Sequence, residues 1–572
     1  MNRYTPSLVG FFVLFCLGGH AQKTIAPPVI DGYKYSIQKT ITCSNGAVVS
    51  AHALASQAGL AVLQQGGNAI DAAIATQLAL AVVYPGAGNI GGGGFMVAKL
   101  QNGKNIAIDY REKAPAGASR DMYLDSVGNP LMDASQNGHL SSGVPGTVAG
   151  LFASMKYARL PFKMLIAPAI RLAENGFAIS ESEAASLNED KKEFQKYNTV
   201  TPVFVKETGW KAGDTLIQLD LANTLKRIRD KGQQGFYEGK TAQLIVEEMQ
   251  RGKGLVTYDD LKNYQAKQRI PLTFPYKGYT ILTMPLPSSG GIIVNQAMKM
   301  IEQRNIAKMG FHSLAAVQLM VEAERRAYAD RAEFMGDVDF VKVPVKTLTS
   351  DAYIRGRMSD FDPKKAGSSA LTKAGSIKKE SEETTHLSII DRDGNAVSIT
   401  TTLNNHYGSK TVVGGAGFLL NDEMDDFSVK PGVPNMYGAI GAEANAIAPG
   451  KRMLSSMTPA IVLKNNKPYI VMGTPGGTTI PTSVFQTLVN MLEFNLSTQD
   501  AVYKPKFHHQ WKPDEIYAEE GFPEAIVEGL KAMGYQVTVR GHIGRTEVIK
   551  VLPDKRFEAV ADNRGEDAAA GF

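Results

Sequence analysis

Helix-length apolar stretches dominate the first two-thirds of the chain, and short β-like apolar runs crowd the last third. Ala51 to Gln65, a Gly66-Gly67 break and Asn68 to Tyr84 read as two helices. Asp71 and Gln77 interrupt the second, whose length suits a buried core helix rather than a membrane span. Gly143 to Leu172 and Leu216 to Arg251 read as mostly helical, with Asp220 and Asn223 as caps, and His312 to Asp330 as an amphipathic helix. Met284 to Gly291 is a proline-and-glycine bend into a further helix, and Gln22 to Thr42 an extended arm. Ile106 to Tyr110 is a short strand that delivers Arg111 and Glu112 at its end. The glycine cluster Gly88 to Gly94 follows no strand and lacks the GxGxxG spacing, so close backbone packing is its expected role.

Two hairpins organise the last third. Asp393-Gly394 between apolar runs predicts a two-residue turn that pairs Ile390 with Val397 and Thr385 with Thr402. Thr384 then faces Leu403, flanked by Thr402 and Asn404 at a cross-strand Cβ distance of about 5 Å. Asn465-Asn466 predicts a second turn, whose fold-back sets Ser455-Ser456 against Gly476-Gly477. The stretch Gly476-Gly477-Thr478-Thr479 enters a helix expected over Ser483 to Phe494, and glycine amides at a helix N-terminus can stabilise a developing oxyanion. The two hairpins share polar tips: a threonine, polar anchors and an amide pair.

Composition narrows the setting. A chain of 572 residues, 44% hydrophobic and 20% charged, is an ordinary globular protein of more than one domain or one large layered domain. A net charge of +5 without a basic block gives no reason to expect nucleic acid as a partner. Arg3 followed by the apolar run Leu8 to Leu17 and by Gly19-His20-Ala21 reads as a signal peptide cleaved after Ala21, so the protein is expected to be exported, periplasmic or secreted. Lipid anchoring at Cys16 is the lesser alternative, because bulky residues precede it. Removal of the signal leaves Cys43 as a lone thiol, so no internal disulfide is expected. No metal-ligand spacing and no internal repeat stand out, no cofactor is expected, and His508-His509, an adjacent pair that cannot share one face, reads as structural.

The motifs Asp109-Tyr110-Arg111-Glu112-Lys113-Ala114-Pro115, Thr384-Thr385-His386, Leu420 to Phe427, Pro431 to Asn435, Ser455-Ser456-Met457-Thr458-Pro459 and Thr474-Pro475-Gly476-Gly477 occur in this order across nearly all of the mature chain. Together they resemble the gamma-glutamyltransferase (glutathione hydrolase) family of N-terminal-nucleophile hydrolases. The resemblance implies an α+β fold, a four-layer αββα sandwich forming one intertwined domain. It implies a proenzyme that cuts itself between Glu383 and Thr384 into a large subunit, 22–383, and a small subunit, 384–572, which stay together as a heterodimer. Cleavage gives Thr384 a free α-amino group with a reference pKa of about 8, so nucleophile and base lie in one residue.

By matching position, the resemblance implies that Arg111, Ser455 and Ser456 hold the α-carboxylate of a glutamyl substrate and that Asn404, Glu423 and Asp426 hold its α-ammonium. Thr402 would orient Thr384, and the Gly476 and Gly477 amides would form the oxyanion hole. Glu423 stands where some family members carry Gln, and Ser428 to Asn435 with Tyr437 resembles a lid loop. The implied reaction takes the γ-glutamyl group from glutathione or other γ-glutamyl compounds onto Thr384 and passes it to water or to an acceptor amino acid or dipeptide. A cephalosporin or glutaryl acylase on the same fold and a non-catalytic binding protein are the alternatives.

Overall fold

The computed structural model describes residues 26–372, 384–436, 438 and 440–572. The expected signal peptide, Tyr437 and residues 373–383, Glu383 among them, lie outside the described residues.

Among the described residues, two seven-stranded sheets form the centre of the molecule. One runs, edge to edge, Thr40–Cys43, Phe557–Val560, Glu547–Val551, Lys467–Gly473, Ala460–Lys464, Tyr279–Thr283 and Leu272–Tyr276. The other runs Ala568–Gly571, Gly46–Ser50, Thr385–Asp391, Ala396–Thr402, Gly93–Lys99, Asn105–Asp109 and Lys267–Arg269. Both sheets combine strands from before residue 372 with strands from after residue 384, so neither half of the chain makes a seven-stranded sheet alone.

Side-chain alternation along the strands builds four layers. Val49, Phe95 and Val97 of one sheet meet Leu282, Ile461, Val471 and Ile549 of the other in the central seam. Their sequence neighbours Val48 and Met96 face the opposite way, toward the helices Ala53–Gln64 and Ala69–Val83. Val462, Ile470 and Met472 likewise face the helices Gly290–Glu302, Leu314–Phe334 and Thr479–Leu492. This is the expected αββα sandwich. No described helix is long and apolar enough to cross a membrane.

Several local expectations change. The helix Leu314–Phe334 is not amphipathic: every residue from Ala316 to Ala332 is buried, and Glu322 bridges Arg325 and Arg326 within it. The stretch Gly143 to Leu172 is mostly helical, as expected, and is divided between the helices Thr147–Ser154 and Phe162–Asn175. Gln218, not Asp220, occupies the N-cap of Leu219–Lys231.

The hairpin before the candidate nucleophile has a three-residue loop, Arg392 to Gly394, rather than two. Asp391 lengthens it: its carboxylate accepts from the Asp393 amide at 2.9 Å and the Asn395 amide at 3.0 Å, and Gly394 takes the positive φ of 85°. The register therefore moves by one, pairing Thr385 with Thr401 and setting Thr384 opposite Thr402 instead of Leu403. The second hairpin turns at Asn465-Asn466 as expected, with φ of 52° and 60°.

Candidate active site

Thr384 begins an inward-facing polar column. Ile390 and Ala396 belong to the central seam, and the alternation turns Ser388, His386 and Thr384 to the same side, beside Ser398, Thr400 and Thr402. The His386 ring lies 3.0 Å from Thr400 Oγ1 and 3.1 Å from Ser388 Oγ, and Ser388 donates to the Glu547 carbonyl at 3.2 Å. Burial pushes the His386 ring down to about 3, so it is neutral and structural. It stacks tightly under Gly473, where a Cβ would come within 2.2 Å of the imidazole.

The glycine cluster fixes the partner strand. Gly92 lies so close to the Thr402 carbonyl that a Cβ there would sit 2.1 Å from it. Asn89 donates to the same carbonyl at 2.9 Å, while Thr402 Oγ1 accepts from the Asn404 amide at 2.7 Å. Asn404 adopts a φ of 81°, a conformation asparagine tolerates, and donates to the Asp422 carbonyl at 3.1 Å.

One small cavity brings together Thr384, Thr402, Arg111, Asn404, Asp426, Ser455, Ser456 and Gly477, and Gly476 borders Thr384 on its other side. Glu423 is fully buried and does not reach the cavity wall; it sits behind Arg111. Arg111 is itself fully buried and forms ion pairs with both Glu423 and Asp426, while Glu112 lies 3.6 Å away. Three carboxyls thus crowd one guanidinium. Burial pushes the Glu423 carboxyl well above the ordinary range, Arg111 opposes this, and Glu112 and Asp426 reinforce it. Glu112 is raised to about 8 and Asp426 is raised too, both mainly by burial.

Gly476 and Gly477 have φ values of 131° and 51°, which other residues rarely adopt. The helix they precede is Thr479–Leu492, beginning four residues earlier than the sequence indicated, so only Thr478 separates the glycine pair from it. Sequence reasoning missed Arg331. It lines the cavity, and its guanidinium donates to Ser456 Oγ at 3.3 Å and to Ser289 Oγ at 3.1 Å. Ser289 in turn donates from its hydroxyl, at 2.7 Å, and its amide, at 2.8 Å, to the Ser455 carbonyl. The histidine pair is structural, as expected: His508 lies 2.9 Å from Thr482 Oγ1 and 2.8 Å from Gln510 Oε1, and both rings are fully buried.

Residues 55–572 match the profile of the family described as Gamma-glutamyltranspeptidase. The chain is 45% identical over 552 residues to a glutathione hydrolase proenzyme of Escherichia coli strain K12, covering 96% of this chain and 95% of that one. It is 34% identical over 535 residues to an acylase ACY 1 proenzyme of Pseudomonas sp. strain SE83, covering 92% and 93%. Among solved structures, a cephalosporin acylase from Bacillus halodurans superposes with a TM-score of 0.80 at 25% identity, covering 94% of this chain and 97% of that one. A Helicobacter pylori gamma-glutamyltranspeptidase chain superposes with a TM-score of 0.56 at 45% identity, covering 57% of this chain and 94% of its own.

Proposed function

This chain belongs to the gamma-glutamyltranspeptidase family, and on that premise we propose that Thr384 is the nucleophile of a self-processed γ-glutamyl hydrolase and transferase. The observation that carries the reading is the convergence of Thr384, Thr402, Arg111, Asp426, Ser455 and Ser456 on one small buried cavity. Its charges suit a zwitterionic glutamyl head. Asp426 and Asn404 meet the ammonium, with Glu423 behind them, and Arg111 with the Ser455 and Ser456 hydroxyls meets the carboxylate. In the ligand-free protein Arg111 occupies the carboxylates, and the incoming ammonium replaces part of that pairing.

Cleavage of the Glu383–Thr384 bond converts an amide nitrogen, which cannot accept a proton, into an amine that can. That amine takes the hydroxyl proton as Oγ1 attacks the γ-carbonyl. The Gly476 and Gly477 amides stabilise the oxyanion, and on collapse the departing amine carries the proton away. Glutathione thereby loses its cysteinylglycine. Water or an acceptor amine then attacks the ester and restores Thr384. The proenzyme name of the relatives supports the division into 22–383 and 384–572, held together as a heterodimer. Export after removal of residues 1–21, to the periplasm or medium, goes with the same reading. On the same reading Ser428 to Asn435 supply its lid.

Acylase relatives share the fold, but the 34% identity is more distant than the 45% to a glutathione hydrolase. A glutaryl group carries no α-ammonium, whereas Asn404 and Asp426 line this cavity. Intact-mass spectrometry after incubation near neutral pH tests the reading. Two masses meeting at Glu383/Thr384 are expected from the native protein and one mass, with no glutathione hydrolysis, from Thr384→Ala. A glutaryl anilide turned over faster than the γ-glutamyl anilide would assign the site to the acylase branch instead.

A further inference from the structure

Each amide offered to the oxyanion belongs to a planar peptide unit whose other end is a carbonyl. The Gly477 N–H shares its unit with the Gly476 carbonyl, and the Gly476 N–H shares its unit with the Pro475 carbonyl. Both units are trans, so N–H and C=O point in opposite directions. Whatever holds the carbonyl therefore aims the N–H.

A threonine hydroxyl holds each carbonyl. Thr479 Oγ1 donates to the Gly476 carbonyl at 2.7 Å, and the Thr479 amide, at the start of the helix Thr479–Leu492, donates to it at 2.8 Å. Thr474 Oγ1 donates to the Pro475 carbonyl at 2.8 Å. The same oxygen accepts from the Arg545 amide at 2.8 Å, which leaves its own proton for that carbonyl. Both threonines are fully buried. Between them, Thr478 is tied through its carbonyl to the Tyr328 hydroxyl and through its hydroxyl to Gln510. Among the described residues neither glycine N–H donates to another group, although Gly476 is buried. A buried N–H without an acceptor is costly, which suits a donor kept for a ligand.

We infer that Thr479 and Thr474 are positioning residues of the oxyanion hole, each setting an amide N–H by holding the carbonyl at the far end of the same peptide unit. This rests on the γ-glutamyl reading of Thr384. The glycines supply a conformation that other residues rarely adopt, and the threonines remove the freedom that glycine brings with it. A hydrogen bond to the carbonyl also polarises its unit and makes the N–H a stronger donor. The benefit falls on the transition state, because full negative charge reaches the oxygen only as the tetrahedral intermediate forms.

The test uses γ-glutamyl-p-nitroanilide, with rates expressed per cleaved molecule. Thr479→Val and Thr474→Val keep the side-chain shape and remove the hydroxyl. Each is expected to lower kcat about tenfold with KM within about twofold, and Thr479→Ser and Thr474→Ser to restore most of the loss. Affinity for a γ-boronate analogue of glutamate, which forms a tetrahedral anion on Thr384, should fall in parallel with kcat. Affinity for norvaline, which has a methyl in place of the γ-carboxyl, should not change. Where a valine variant does not mature, the alanine variant at that position is read instead. Unchanged kcat at both positions, no rescue by serine, or equal losses of boronate and norvaline affinity overturn the assignment. A native protein that hydrolyses neither glutathione nor the anilide overturns the reading of Thr384 itself.

Discussion

At the scale of single residues, charge crowding governs the site. Arg111 serves three crowded carboxyls, so on the proposed assignment binding of a glutamyl ammonium requires Asp426 to be ionised. Because burial raises Asp426, the acid limb of kcat/KM for donors should lie above the ordinary carboxylate range and fall as pH drops through it. Glu423→Gln removes one competitor for Arg111, which leaves more of that cation to Asp426, so the limb should move to lower pH; a pH–rate profile of both proteins checks this. Arg331 holds the serine pair through Ser456 and Ser289. Arg331→Gln should lower kcat/KM by roughly 10- to 100-fold through KM, with Lys restoring part, since charge-assisted hydrogen bonds are worth about 1.5–3 kcal/mol. Steady-state kinetics with a γ-glutamyl anilide separates this from general destabilisation. Most cavity-lining polar side chains were legible, because Arg111, Ser455 and Asp426 sit in recognisable local motifs. Their pairing was not. Arg111 meets Glu423 and Asp426 only through tertiary packing, and Arg331 lies inside a helix whose sequence resembles any charged surface helix.

At the scale of elements, glycines and one aspartate set the geometry. The turn signal at Asp393-Gly394 located the hairpin but not its register, because the Asp391 carboxylate stabilises a longer loop by side-chain hydrogen bonds that turn statistics do not resolve. The one-residue slip puts Thr402, not Leu403, opposite Thr384. The glycine cluster was legible as a close-packing device, though not what it packs against. Gly92→Ala would place a methyl 2.1 Å from the Thr402 carbonyl. Overpacking of this kind destabilises by about 1–3 kcal/mol. A lowered melting temperature with a larger loss of activity is expected, and a thermal melt read beside kcat checks both.

At the scale of the whole molecule, the αββα layering followed from apolar patterning, while strand order did not, since it depends on pairings between distant segments. Three buried rings make the fold acid-sensitive: His386 and His508 are pushed down to about 3 and His509 to about 4, all mainly by burial. Between those values and the ordinary histidine value of about 6.5 the unfolded chain binds protons that the folded one refuses, so stability falls as pH falls, by up to about 1.4 kcal/mol per pH unit per ring. Raised carboxyls such as Glu112 and Glu423 act in the opposite sense over the same window, so the share of a ring is read by difference: from pH 7.5 to pH 5 the melting temperature of the native protein should drop relative to that of His386→Gln. Under the proposed cleavage of the Glu383–Thr384 bond, the mixing of strands from before residue 372 and after residue 384 in both sheets has a further result. The intact chain folds as a unimolecular process, but the cut protein, if unfolded, must reassemble two sheets from two separate molecules. Its refolding then depends on concentration, whereas its unfolding does not. The proposed maturation would therefore turn a fold reached by the intact chain alone into one retained by its unfolding barrier.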